Sequence, residues 1–319
     1  MANPGETPRI DTLESRPGHN YCINGSFDFW QRGTSFINST NTFIADRWFA
    51  YGNSVDWTRV SETINGADRF AVRFRGNGNH GLTTTLETYD TKYLHNKFVT
   101  VSFYAKVGST FTGTVRAHLG RNTSEARSPQ NDTYGFRDIT SELSTSWQRI
   151  TITNNQVVGT DAAAFIFSVD RTPSTTDNDD FVQIAQVQIE EGQSVTAWNR
   201  HGNSYADELV ACQRYFEKSY DIESPIPSIT NNGAYVFRSD STNTHRGFSS
   251  FAVSKRTGPA ITLYAPHSGA SGNWTSEDGG NVNVGASVHS AGQRGFTAEA
   301  TPSGGSTILL GHWTADAEL

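Results

Sequence analysis

Two groups of residues in this chain have types and spacings that could do chemistry. The first centres on Trp274, which stands in the Gly/Ser-rich stretch 267–280, expected to be a long loop, beside Asn273, Thr275, Glu277 and Asp278. A flat aromatic face suits the C–H patch of a sugar ring, and short polar side chains suit its hydroxyls. Trp57, in the run SVDWTRV, is a further candidate for the same work. The second group is made of oxygen donors. Asn24, Asp28 and Glu190, with the acidic run 177–180 and Glu191, have the chemistry of calcium ligands, although a solvated acidic loop is the plainer reading of such a run. The sequence has no G-x-S-x-G elbow, phosphate-binding loop, dinucleotide fingerprint or HExxH pair. Glu277 and Asp278 are adjacent, so on a strand they would point to opposite sides. Binding is therefore expected in preference to catalysis, although a carboxylate pair can also be assembled in space.

These residues must be positioned by β structure. The 319 residues include 29 glycines, 12% aromatic and 18% charged residues. Aromatic and β-branched residues suit a half-buried pleated surface, while Gly and Asn supply turns. The length suffices for two domains, each with its own core. In 97–107, Val99, Val101, Phe103, Ala105 and Val107 share one face of a strand. Similar segments occupy 69–75, 113–119, 147–153, 164–169 and 181–189. The last changes phase between Ile184 and Val187, which implies a bulge or burial of both faces. After residue 220 alternation returns in 234–238, 247–253, 260–264, 281–288, 295–299 and 307–313. No fixed-period repeat is present.

One helix is expected, over 203–219, with Ser204 and Asp207 as a capping box and Arg214 and Lys218 late in the segment. Tyr205, Leu209, Cys212 and Phe216 recur at steps of four, three and four. Such a stripe packs either on a β domain of its own chain or on copies of itself around a symmetry axis. The resulting fold class is mainly β: an N-terminal arm over 1–20, a jelly-roll β-sandwich over 21–200, a connecting or oligomerisation helix over 201–220 and a β-sandwich knob over 221–319.

The net charge of −7 argues against nucleic acid as the main partner. Cys22 and Cys212 are too few and too far apart for a disulfide framework or a metal site. No signal peptide or apolar run long enough to span a membrane is evident, so cytoplasmic synthesis is expected.

Several motifs carry a resemblance. Asn24-Gly-Ser-Phe27, Phe29-Trp30-Gln-Arg-Gly33 and Ala45-Asp-Arg-Trp48 resemble the opening of carbohydrate-binding-module-like jelly rolls in bacteriophage virion proteins. The segment 184–190 with Glu191-Gly192 resembles the closing strand of that domain. Leu209-Val-Ala-Cys-Gln-Arg-Tyr-Phe216 resembles the helix that follows it in phage tail-fibre proteins, and Gly311-His-Trp-Thr-Ala-Asp-Ala-Glu-Leu319 the end of their C-terminal domain. The resemblance implies a tail-fibre, head-fibre or spike subunit of a virion, commonly a homotrimer. Such a subunit would dock on other virion proteins through its N-terminal arm and bind a host surface glycan. A structural calcium at Asn24, Asp28 and Glu190 would be its only cofactor. A decoration protein without a receptor and a glycan-cleaving enzyme with a binding module are the alternatives.

Overall fold

The computed structural model describes residues 16–127, 133–172, 177–239, 243–277, 280–302 and 307–319. Most of the expected arm, 1–15, and Asp278 lie outside the described residues. Residues 16–20 belong to the body of the protein, because the Asn20 amide donates to the carbonyls of Val187 and Asn199.

Two sheets form the first unit. The first contains β1 (Ser35–Ser39), β4 (Val55–Ile64), β5 (Ala67–Gly76), β12 (Val182–Glu191), β7 (Val99–Val107) and β10 (Gln148–Thr153), in that order. The second runs β2 (Thr42–Phe43), β3 (Phe49–Tyr51), β6 (His80–Leu86), β11 (Ala164–Arg171), β8 (Val115–Asn122) and β9 (Thr133–Asp138). Every pairing between these strands is antiparallel. Alternation places Val99, Val101, Phe103, Ala105 and Val107 inward, against Phe165, Phe167 and Val169 of the facing sheet. A short helix, α1 (Thr88–Leu94), follows β6.

The change of phase in β12 is a bulge. Its pairing with β7 slips between Ala185 and Gln188, and Gln186 adopts a positive φ of 49°. The bulge frees the Val187 N–H to donate to the Gly25 carbonyl at 2.8 Å. Gly25 is required there, since a Cβ would lie 2.0 Å from the Val187 oxygen. The aromatic residues of the opening motif are core: Phe27, Phe29 and Trp48 have no exposed surface, and Trp30 is 3% exposed.

The helix is shorter than its apolar spacing suggests. α2 covers Tyr205–Gln213, with the Ser204 hydroxyl accepting from the Asp207 N–H at 3.0 Å as an N-cap. Phe216 lies beyond it in β13 (Phe216–Lys218). Leu209, Cys212 and Tyr215 pack on Ile23 and Phe29 of the same chain, and Phe216 is 4% exposed. Of the stripe only Tyr205 is open, at 50%. Packing within the chain thus uses the residues expected to form an oligomer seam. Cys22 and Cys212 are buried free thiols.

The second unit is organised by one long strand, β20 (Thr307–Asp316). Its C-terminal half pairs with β13 and with β16 (Ala260–Tyr264), and its N-terminal half with β14 (Tyr235–Ser239) and β17 (Asn273–Ser276). β18 (Val282–Gly292), β19 (Gly295–Ala300) and β15 (His245–Ser250) continue the sheet from β17. Trp274 is 2% exposed and lies across β20 over Gly311, where a Cβ would be 2.1 Å from its Nε1. Its ring meets Phe237 at 4.8 Å. The stretch expected to be a loop therefore contains a central strand, and Trp274 is the middle of the knob core.

A buried polar joint connects the units and the helix. Glu208 accepts from the Asn24 N–H at 2.9 Å and the Ser26 hydroxyl at 3.3 Å, and pairs with Arg200. Gln31 donates to Asp46 at 2.6 Å and to the Phe216 carbonyl at 3.0 Å. Arg32 meets Asp316 at 3.1 Å, and Arg47 pairs with Glu318 while lying 3.6 Å above the Tyr215 ring. Arg214 reaches Glu87 at 3.1 Å.

Two outcomes are expected. Trp274→Ala empties the centre of the knob core and should cost about 3–5 kcal/mol, read as a lower denaturant midpoint. The second concerns pH. Burial raises the Glu208 carboxyl from 4.5 to about 7, against the opposing pull of Arg200. A raised native pKa means that the folded state holds the extra proton. The corresponding stability is complete below about 4.5 and is lost as pH rises through about 7. Urea midpoints measured from pH 5 to pH 8 should fall, and Glu208→Gln should flatten that slope; an unchanged slope would exclude this origin.

Candidate sugar-binding groove

The residues expected to form a site do not come together. Trp274 is core, and Trp57 is 1% exposed, stacked on Phe74 at 5.0 Å. Neither presents a face to a ligand. Asn273 is half-buried and donates to the Ser271 carbonyl, and Glu277 is exposed at the end of β17. The oxygen donors are also engaged. The Asn24 amide donates to the carbonyls of Phe29 and Asp46 at 2.8 and 3.0 Å. Asp28 pairs with Arg200 at 2.5 Å, and Glu190 accepts from the Thr196 hydroxyl and N–H. Asp180 is buried against Arg171. Among the described residues no three His, Cys, Asp or Glu side chains group as metal ligands. Asn24, Asp28 and Glu190 thus act as structural ties.

A different surface has the chemistry. On the second sheet, Leu82, Phe165, Phe167 and Val169 point into the core, so their neighbours in sequence form the outer face. The strand register aligns Phe43, Phe49, Thr83, Ser168, His118 and Phe136 in one row across all six strands. Five interstrand steps of about 4.8 Å make this row roughly 24 Å long. A parallel row contains Tyr51, Gly81, Asp170, Arg116 and Asp138. Small residues occupy the middle strands and rings stand towards both edges. The result is a trough of about 690 Å3, lined by Asn41, Phe49, Tyr51, Thr83, His118, Arg127, Ser168 and Asp170.

Two glycines shape it. A Cβ on Gly81 would lie 2.3 Å from the Tyr51 hydroxyl, so the absence of one lets the tyrosine ring lie across β6. Its hydroxyl donates to Asp170 Oδ1. At the far edge Gly135, with φ of 140°, sits where the β8–β9 register shifts. That bulge sends Tyr134 into the core at 1% exposure and leaves Phe136 outside at 63%. Phe136 stacks on His118 with centroids 5.8 Å apart.

The polar floor is preset. His118 Nε2 approaches Asp170 Oδ2 at 2.9 Å, a close contact without the alignment of a hydrogen bond. Burial raises the Asp170 carboxyl to about 6. Burial, and then Arg116, lowers His118. Near neutral pH the pair is an imidazole beside a carboxylate, and the Tyr51 hydroxyl supports the latter. The arrangement offers an aromatic platform, hydroxyl groups of Thr83 and Ser168, and one acceptor. This matches the needs of a sugar chain, which presents apolar ring faces and polar rims.

The sequence held only a weak signal for this face. In Phe49-Ala50-Tyr51 the two rings flank a small residue, and the inward position belongs to the alanine, which is fully buried. Alternation cannot tell which side of a strand faces a core.

No protein-family model matches this sequence, and no curated protein matches it. Among solved structures, the xylan-binding domain CBM22-1 of Paenibacillus barcinonensis Xyn10C is 14% identical, with a TM-score of 0.34 over 57% of this chain and 100% of that one. The tandem CBM22-1–CBM22-2 of the same protein is 11% identical, at 0.34 over 96% and 98%. A putative sugar binding protein from Bacteroides thetaiotaomicron is 13% identical, at 0.36 over 54% and 100%. At these scores the likeness carries no argument about what this chain binds.

Proposed function

We propose that the chain is a glycan-binding protein and that the trough on the second sheet is its binding site. The observation that carries this reading is the row from Phe49 to Phe136, with Tyr51 laid across Gly81 and hydroxyl groups between the rings. Binding is favoured over cleavage, because among the described residues Asp170 is the single carboxylate lining the trough and glycoside hydrolysis ordinarily uses two.

The wider role proposed is that of a virion fibre or spike subunit, docked on other virion proteins by its N-terminal segment and directed at a host surface glycan. It is supported by the order of the phage-like motifs at 24–33, 45–48, 209–216 and 311–319. A homotrimer belongs to that reading and would use surfaces other than the helix stripe. Three weak grooves held together would then give useful avidity.

The test is a glycan array followed by calorimetry. Phe136→Ala and Tyr51→Ala should each weaken binding by about 1.5 kcal/mol, roughly tenfold. Phe136→Ala should leave the melting temperature unchanged, because the ring is 63% exposed. Glycan binding that survives both substitutions would move the site elsewhere, and an array with no positive glycan would remove the reading.

A further inference from the structure

The trough does not end at the edge of its sheet. Asn41, Phe49 and Arg127 also line a second cavity, the cleft between the sandwich and the knob, with a volume of about 580 Å3. Its far wall includes Phe216, Thr262 and Tyr264, from β13 and β16. The two cavities adjoin, with Asn41, Phe49 and Arg127 lining both.

Arg127 is the unusual one of the three. Its guanidinium lies 4.1 Å from the Phe49 centroid and 5.4 Å from that of Phe43. Among the described residues it has no ion pair or hydrogen bond. Arg32 provides the contrast: it also lies over Phe43, at 5.1 Å, yet it is matched by Asp46, Asp316 and Glu318 at 3.6, 3.1 and 3.4 Å. Asn41 adds a second donor, because its Oδ1 is taken by the Gly52 N–H at 3.1 Å, and its amide nitrogen remains. A guanidinium stacked on a ring keeps its in-plane donors available for a carboxylate, which it can take in bidentate fashion.

We propose that the ligand is an acidic polysaccharide segment that lies along the trough, meets Arg127 through a carboxylate at the shared rim, and continues into the cleft. This rests on the reading of the trough as a glycan site. The carboxylates along the path already have partners: Asp170 accepts from Tyr51, and Asp316 has Arg32. Among the described residues that line the two cavities, Arg127 is left as the cation that an acidic ligand would satisfy.

The experiment is calorimetry on the full chain with carboxylate-bearing oligosaccharides, namely trimers and hexamers of uronic acids, beside their carboxyl-reduced counterparts. Arg127→Ala should weaken binding of the acidic hexamer at least tenfold, and Arg127→Lys should restore only part of that loss. Reduced chains should bind all three proteins alike. The acidic hexamer should bind at least tenfold tighter than the trimer, and added salt should weaken it. If Phe136→Ala weakens binding while Arg127→Ala does not, the acidic assignment is overturned and the trough remains a glycan site. Equal affinity for trimer and hexamer would overturn the continuation into the cleft. If neither acidic nor reduced chains bind, the acidic assignment is overturned, and the glycan array alone decides the reading of the trough.

Discussion

The architecture depends on burying several carboxylates where the opening motif, the helix and the knob meet. Asp46, Glu208 and Glu318 are all withdrawn from water there. Isolated charges in such a place would be prohibitive, and their attraction to arginine repays the desolvation only when geometry and hydrogen bonds are both good. The joint supplies Arg32, Arg47 and Arg200, and backbone donors from Asn24 and Gln31, and at Glu208 the burial still outweighs Arg200 and favours the protonated carboxyl. Removing one member of such a set costs about 3–5 kcal/mol, because it strands the others. Arg47 is the most constrained: it pairs with Glu318, donates to the Thr85 carbonyl and lies on Tyr215. One side chain thereby fixes the C-terminus of the knob to the second sheet of the sandwich.

That fixation has a consequence for the surface. β2 and β3 form the edge of the second sheet nearest the joint, and Phe43 and Phe49 sit on them. Because β13 and β16 are held opposite, the edge faces a wall of knob residues instead of open solvent. The trough thus adjoins, on one side, the cleft walled by the knob, and on the other its row of side chains ends at Phe136, which the bulge turns outward. The bulge uses the positive φ of Gly135, where a side chain would be strained, and the trough floor needs Gly81, where a Cβ would clash with the Tyr51 hydroxyl.

Much of the fold could be read from the sequence, for physical reasons that also mark where reading stops. The 97–107 segment alternates without interruption, and β7 uses every inward residue as expected. The change of phase in 181–189 is a bulge, and the Ser204 cap begins the helix. Phe216 was less legible, since a residue at helical spacing can equally begin a strand when a hydrogen-bonding edge such as β20 is waiting. Trp274 misleads for a related reason. Gly and Ser around an aromatic residue suggest a loop, yet here Gly311 on the neighbouring strand makes the space that buries the ring. The trough itself was hidden, because it is assembled from strands remote in sequence and because its rings occupy the outward half of each alternation.

The two halves of the proposed path differ in how far their polar groups are already committed. In the trough, the Tyr51 hydroxyl already donates to Asp170, and His118 is packed against the same carboxylate before any ligand arrives. Such preset groups lose little freedom on binding, and they orient a sugar without each supplying much energy. At the rim, Arg127 rests on Phe49 by a cation–π contact and has its in-plane donors unspent. A neutral glycan would be positioned by the first set and gain little from the second. A carboxylate at the rim would satisfy the cation while leaving the trough contacts unchanged, so its contribution would fall mainly on selectivity. In the proposed path the floor would hold the sugar chain, and the rim would set a preference among such chains.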